Sequence, residues 1–431
     1  MEVLRLAVAA RPLDAVVDVP GSKSIANRAL VCAALADGDS ELVGLPGGDD
    51  TAAMLACLDR LGVGVSSSGS RDALDAVVGG TGGHIEARDV TLDAGLAGTT
   101  SRFVTAIAAL AVGPVTIDGA PPLRRRPMGP LHTALAALGV SVEAGERAGG
   151  LPVTVSGPLR HGGELAIAGD VSSQYLTALM LVGPLLAGGL RMRLTTPLVS
   201  LPYVHLTAAV MASFGVGGVE VTDAEIVVPE GRYAGSRLAI EPDASSASYP
   251  LAMAAVAGGR VRVRGLHRGS AQGDAAFADL LGAMGCTVDD DELGLAISRD
   301  PGRALTGIDV DMADVSDLVP TLAVVAALAS SPSTISGVGF IRAKESDRLG
   351  DLAAELARLG AAVTVEPDGL RVAPAVDLRG ADLDTHHDHR LAMAFGVLGA
   401  AVPGIGVRDP GVVSKSWPGY WDVRERLLAA P

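Results

Sequence analysis

The sequence predicts an α/β protein with mixed sheets, divided into two lobes of three repeated units each. Three observations predict it. An apolar helix, then Leu-Gly or its equivalent, then a Val-rich strand recurs at Gly62, Gly139, Gly215, Gly285 and Gly360, with spacings of 77, 76, 70 and 75 residues. A polar or hydroxyl-rich start to a buried Ala/Leu helix recurs at Ser24, Thr100, Ser173, Ser245, Asp317 and Arg390, with spacings of 76, 73, 72, 72 and 73. Six units of about 72 residues therefore account for the chain, a length that fits a supersecondary unit rather than a solenoid turn. Third, the last unit lacks a closing strand, while the strand at the N-terminus has no helix in front of it. The N-terminal strand is expected to complete the sixth unit.

The elements follow in order. Met1–Ala10 alternates apolar and polar residues and reads as a strand. Residues 22–37 form the opening helix, because Pro20, Gly21 and Ser22 precede a long apolar run. Ser40–Leu45 is a strand, Asp49–Leu61 an amphipathic helix ending at Gly62, and Val63–Ser66 the next strand. Val171–Leu190 and Leu318–Ile341 are long and uncharged, but carry Pro, Gly and several hydroxyls; they read as buried core helices rather than membrane spans. Lys344–Arg348 opens an amphipathic helix that ends at Gly360. A buried helix follows Arg390, then a strand at Ile405–Asp409 and a helix at Tyr420–Ala430. Each unit reads as helix, strand, helix, strand, strand. Three units give a middle lobe at 18–238; residues 1–17 join 239–431 in the second. The crossings fall near Pro20 and near Glu241-Pro242.

The 431 residues are 48% hydrophobic, enough for two sizeable cores, and 3% aromatic, so Ala, Val and Leu must fill them. Net charge is −15, which excludes a global basic field for nucleic acid and makes any anion site local. Cys32, Cys57 and Cys286 have no metal or disulfide spacing and read as small buried hydrophobes of a reducing compartment. No charged-then-apolar leader pattern opens the chain. A cytoplasmic protein is expected, without nucleic-acid or membrane partners.

The polar helix starts carry the chemistry. Gly21–Arg28 puts Lys23 with Asn27, and Ser24 with Arg28, on shared helix faces. A helix N-terminus already attracts anions through its free N–H groups and dipole. Gly98–Arg102 and Asp170–Gln174 repeat the device. Arg124-Arg125-Arg126 precedes a helix in a Pro-rich loop. Lys344 and Arg348, four apart, flank Glu345. Each cluster alone also suits a solvated cap or turn, and a duplicated scaffold without chemistry stays open. His386-His387-Asp388-His389 invites a metal, but neighbouring side chains on a helix diverge and no further ligand pattern supports one. Together Lys23, Arg28, Arg126, Lys344, Arg348, Arg390 and Lys415 suit a cleft gripping two small, multiply charged anions. Aromatic platforms for nucleic acid are absent.

At these residues the sequence resembles the 5-enolpyruvylshikimate-3-phosphate synthase family. The matching motifs are GSKSIANR (21–28), AGTTSR (97–102), RRPMG (125–129), DVSSQYLTA (170–178), SLPY (200–203), DASSASY (243–249), AKESDRL (343–349), DHRLAM (388–393) and SKSWP (414–418), in family order over essentially the whole chain. The resemblance implies the enolpyruvyl transferase fold: two lobes, each of three repeated βαβαββ units, with helix N-termini aimed at an interlobe active-site cleft. It implies transfer of the enolpyruvyl group of phosphoenolpyruvate to the 5-hydroxyl of shikimate 3-phosphate with release of phosphate, by addition and elimination. This is a step toward chorismate and the aromatic amino acids. No metal or organic cofactor is implied, a monomer is expected, and glyphosate should compete with phosphoenolpyruvate.

By residue-level match, Lys23, Ser24, Arg28, Ser172, Ser173, Gln174, Ser200, Tyr203, Asp317 and Lys344 should hold shikimate 3-phosphate. Lys23, Gly98, Arg126, Gln174, Arg348, Arg390 and Lys415 should hold phosphoenolpyruvate. Asp317 is the expected base on the 5-hydroxyl and Glu345 the expected acid at C3, with Lys23 beside them in the catalytic set. The chemistry needs a proton removed at one place and delivered at another, and cations around the departing phosphate. The chain departs from the family pattern at Leu96 and Phe340, where many relatives carry Asn, and at Phe103, where the family has Pro. The related UDP-N-acetylglucosamine enolpyruvyl transferase carries a Cys in the loop matching Pro121–Pro130; this loop has none.

Overall fold

The computed structural model describes residues 2–375 and 377–429. Met1 and Ala430, the outer ends of the expected first strand and last helix, lie outside them. The chain divides into two compact units, Gly21–Ile240 and Met1–Pro20 with Glu241–Pro431.

Gly21–Ile240 contains three four-stranded sheets with one shared plan. A first strand pairs parallel with a second, a third lies antiparallel to the second, and a fourth antiparallel to the third. In chain position these are 237–239, 40–45, 74–78 and 65–69; then 90–93, 114–118, 153–156 and 141–144; then 161–167, 187–194, 225–228 and 220–221. The opening strand of the first sheet thus comes from the far end of the unit. The helices Lys23–Leu35, Gly98–Ala108 and Ser173–Val182 are buried on nearly every face and pack on one another. Past their polar first turns these helices are apolar all round and have no face to give to water, so they sit inside. The amphipathic Asp49–Arg60 and the apolar Leu201–Ser213 pack against them with partial burial, and Gly129–Ala137 packs against the strands 141–144 and 161–167.

The other unit repeats the plan with strands 13–17, 259–264, 294–299 and 287–291, and with 309–311, 333–336, 369–373 and 362–366. Its third sheet has three strands: Asp382–Leu383 pairs parallel with Gly406–Arg408, and Val3–Arg5 lies antiparallel to the latter. The inner helices are Ala244–Ala257, Val319–Ala326 and His389–Leu398.

The glycines that mark the repeat share one conformation. Gly62, Gly139, Gly215, Gly285 and Gly360 have φ of +88°, +89°, +89°, +102° and +92°. Each follows the last turn of an outer helix, where a left-handed residue ends the helix and turns the chain into the next strand. A Cβ at Gly62 or Gly139 would meet nothing within 4 Å, so the backbone angle and not crowding requires glycine there.

Three expectations are corrected. Met1–Ala10 is not one strand: pairing covers Val3–Arg5, and a second strand, Leu13–Val17, belongs to a different sheet. The two long uncharged stretches are not single helices. Ser173–Val182 gives way through Gly183-Pro184 to the strand Ala187–Leu194, and Val319–Ala326 is followed across Ser331-Pro332 by the strand Ser333–Ser336. Pro184, which has no amide to continue the ladder, stops the first helix, while the second stops at Ala326, ahead of Ser331-Pro332. Lys344–Arg348 is not helical either. It links a 3-10 turn, Gly339–Ala343, to a helix that begins at Gly350.

Candidate active site

In Gly21–Ile240 the polar helix starts are tied to one another. Ser22 caps the opening helix by accepting from the Ile25 amide at 3.4 Å. Lys23, in the first turn, pairs with the buried Asp50 at 3.0 Å. Thr100, at the start of the second inner helix, donates to the Asp50 carbonyl at 3.2 Å. Gln174, at the start of the third, donates to Thr99 at 3.2 Å. Ser172 caps that third helix by accepting from the Gln174 amide at 3.3 Å, with Ser173 beside it. Gly98 lies against Arg126: a Cβ there would fall 2.5 Å from Nη1 and 2.9 Å from Cζ of that guanidinium.

Arg28 is buried. Its guanidinium donates to Thr207 at 2.9 Å, to the Ser24 carbonyl at 2.7 Å, to the Tyr203 carbonyl at 3.2 Å and to Thr177 at 3.4 Å. Burial lowers its pKa to about 10, so it stays cationic at neutral pH. Its charge lies over the rings of Phe103, at 5.6 Å, and Tyr203, at 5.9 Å. Phe103, one of the departures from the family pattern, therefore forms a wall of the Arg28 pocket. Ser200 adopts a left-handed conformation at φ +58° ahead of Leu201–Ser213, buried and unusual for a residue with a Cβ.

In the other unit a buried guanidinium organises the charges. Arg348 donates through Nη1 to Asp317 at 2.9 Å, through Nη2 to Glu345 at 2.7 Å, and through Nε to Asp388 at 2.7 Å. Arg390 Nη2 donates to the other Asp317 oxygen at 2.7 Å. Lys415 Nζ lies 4.0 Å from Glu345. Lys344 sits 5.7 Å from the ring of Phe340, so this second departure from the family pattern places a ring against a cation. Leu96, the third, is exposed.

Chain geometry explains the cluster. Asp347 accepts from the Leu349 and Gly350 amides at 3.2 and 3.0 Å, starting the helix three residues after itself. That leaves 344–348 irregular, and Arg348 turns inward to carboxylates from three other positions. Asp388 caps His389–Leu398 by accepting from the Arg390 amide at 2.9 Å. Burial works to raise the pKa of Asp317. Arg390, Lys344 and Arg348 outweigh it and hold this carboxyl well below the usual carboxylate range. Burial likewise disfavours the Arg348 cation, and Asp388, Glu345 and Asp317 overcome it, pushing its pKa up.

Two carboxylates here were not singled out from the sequence. Asp50 read as part of an amphipathic helix, and Asp388 as part of a possible metal ligand set. The histidines of that set diverge: His386 lies 3.2 Å from Glu355 and His387 3.2 Å from Asp409, while His389 is buried beside Asp388. Among the described residues no group of three His, Cys, Asp or Glu side chains is set to hold a metal, and no helix is long and apolar enough to cross a membrane.

Two units of duplicated α/β architecture, each opening its inner helices among ion-paired cationic side chains and hydroxyls, define a class of protein that handles small polyanions. Residues 8–423 match the family model described as EPSP synthase (3-phosphoshikimate 1-carboxyvinyltransferase). The 3-phosphoshikimate 1-carboxyvinyltransferase of Nostoc punctiforme is 41% identical over 422 residues, 98% of each chain. That of Methanoculleus marisnigri is 42% identical over 412 residues, 95% of this chain and 96% of its own. The structure of EPSP synthase from Acinetobacter baumannii superposes with a TM-score of 0.82 at 23% identity, covering 99% of this chain and 98% of that one, and so shares the fold. The chain belongs to the EPSP synthase family.

Proposed function

We infer that the chain transfers the enolpyruvyl group of phosphoenolpyruvate to the 5-hydroxyl of shikimate 3-phosphate and releases phosphate. The observation that carries the assignment of roles is the Arg348 guanidinium, which holds Asp317 on one nitrogen at 2.9 Å and Glu345 on the other at 2.7 Å. Two carboxylates fixed on one planar cation are placed to act in a single event on neighbouring atoms.

In that event Asp317 takes the proton of the 5-hydroxyl while its oxygen bonds to C2 of phosphoenolpyruvate. Glu345 delivers a proton to C3. The tetrahedral product then collapses: the C2–O bond to phosphate breaks, C3 gives a proton back, and the double bond returns. Nothing is oxidised or reduced. Arg348, Arg390 and Lys415 lie where charge would build on the departing phosphate. Lys23, Gly98, Arg126 and Gln174 complete the phosphoenolpyruvate set. Ser24, Arg28, Ser172, Ser173, Ser200, Tyr203 and Lys344 take the phosphate, carboxylate and hydroxyls of shikimate 3-phosphate. The Arg28 donors already have protein partners, so Arg28 contributes chiefly charge. Both substrates are anions, and the cations they engage are those that weaken Asp317 as a base. Occupying those cations raises its proton affinity when it is needed.

This reading places the 431-residue chain in the cytoplasm, and as a monomer. Light scattering on the purified chain tests the monomer. A continuous phosphate-release assay tests the activity: release should require both substrates together. Release with phosphoenolpyruvate and UDP-N-acetylglucosamine, but not with shikimate 3-phosphate, would move the chain to the sister transferase.

A further inference from the structure

One buried carboxyl near this cluster has no part in the mechanism above. Asp274 lies in the 3-10 turn Gly273–Ala276 and is 4% exposed. That turn packs against the helix Ala244–Ala257 and against the turn Ala313–Leu318, which carries Asp317. Gln272 fastens it there, accepting from the Ala244 amide at 3.1 Å and donating to the Pro242 carbonyl at 2.8 Å. The Ser245 hydroxyl donates to Asp274.

The charges around Asp274 oppose one another. Asp317 and Asp243 face it and disfavour its ionisation; Arg390 and the Ser245 hydroxyl favour it. Asp314 lies on the same turn as Asp317. On the next helix Asp279 is exposed and pairs with Arg268. Tyr249 of the helix Ala244–Ala257 is buried by the same charged cluster, and burial pushes its phenol up to about 12, so it stays neutral. Burial, with Asp317 adding to it, pushes the Asp274 carboxyl up to about 7. It therefore changes charge near neutral pH while Asp317 stays ionised throughout.

We propose that Asp274 is a positioning residue for this reaction, acting through Arg390 and Asp317 so that its ionised form makes Asp317 a stronger base. The proposal rests on Asp317 being the base that takes the 5-hydroxyl proton. Asp317 bound by Arg390 and Arg348 is a weak acceptor for a hydroxyl proton. A second negative charge behind it competes for Arg390 and raises the proton affinity of Asp317. Asp274 does not touch substrate and exchanges no proton with it.

The test is kcat against pH, from about 5.5 to 9, at saturating substrates for the wild type, Asp274→Asn and Ser245→Ala. The wild type should rise through an inflection near the Asp274 pKa. Asp274→Asn keeps the shape and cannot ionise. It should lose the inflection and run about three- to tenfold below the wild-type plateau, with KM for both substrates little changed. Ser245→Ala removes a donor to the ionised form and should move the inflection up by about half a pH unit. If Asp274→Asn fails to fold, Ser245→Ala decides alone. An inflection at the same pH in every variant, or none in the wild type, overturns the proposal. Asp317→Asn separates the two claims: if it turns over normally, the base assignment itself fails, whereas an inactive Asp317→Asn beside an unchanged Asp274→Asn profile refutes only the role of Asp274.

Discussion

Asp388 offers a perturbation whose size follows from the structure. It is fully buried and does three things at once. It accepts from Arg348 Nε at 2.7 Å and Nη2 at 3.4 Å, it accepts from the Arg390 amide at 2.9 Å as a helix cap, and it accepts from Ser346 at 3.2 Å. Asp388→Ala leaves a 1% exposed guanidinium without its closest carboxylate. Breaking one side of a buried pair costs about 3–5 kcal/mol, and losing the cap about 1 kcal/mol more. Asp317 and Glu345 still hold Arg348, so the lower end, about 3–4 kcal/mol in total, is expected. Asp388→Asn keeps an oxygen for the cap but turns an amide toward Arg348, donor against donor, and should recover only the cap's share of about 1 kcal/mol. Urea unfolding of the three proteins measures both differences, and the KM for phosphoenolpyruvate should rise in both variants as Arg348 and Arg390 lose their setting. A loss below about 1 kcal/mol in Asp388→Ala would refute the view that this carboxylate anchors Arg348.

Three further outcomes are expected. Asp274→Asn should be more stable than the wild type at pH 8 by on the order of a few kcal/mol; the folded pKa of Asp274, about 7, lies above its ordinary 3.8, so the wild type loses stability as pH rises between those values, and thermal melts should converge near pH 4. Gly98→Ala must displace the Arg126 guanidinium, which a Cβ would approach to 2.5 Å; inhibition constants should show glyphosate weakened more than phosphoenolpyruvate, and unchanged constants would remove Gly98 from the site. Gly139→Ala meets no atom but forces φ +89° on a residue with a Cβ, so chemical denaturation should show a loss of about 1–2 kcal/mol with turnover intact.

The repeat could be read from the sequence because its marker is a backbone requirement. A helix that ends in a left-handed residue calls for glycine, and five such glycines at similar spacing are visible without any knowledge of contacts. The polar helix starts were visible for a related reason: caps and first-turn cations are local. What failed depended on long-range packing. The uncharged run Val171–Leu190 takes in only the first half of the strand Ala187–Leu194, and a short apolar run does not show by its pattern whether it is helix or strand. Lys344 and Arg348 have the spacing of a helical charge pair, yet Asp347 caps a later start and Arg348 is drawn to Asp388, forty positions on. Asp274 meets Ser245 across twenty-nine positions, which no local pattern announces.

The assignment of Asp317 and Glu345 as base and acid is tested most directly by proton exchange. Phosphoenolpyruvate is incubated in D₂O with shikimate 3-phosphate and enzyme, and deuterium at its C3 methylene is followed alongside turnover. Glu345→Gln keeps the shape beside Arg348 and cannot deliver a proton. Exchange and turnover should both fall by about 10²–10⁴-fold, with shikimate 3-phosphate binding nearly intact. Near-normal exchange and turnover in Glu345→Gln would contradict the account and leave Glu345 as an ion partner of Arg348 and nothing more.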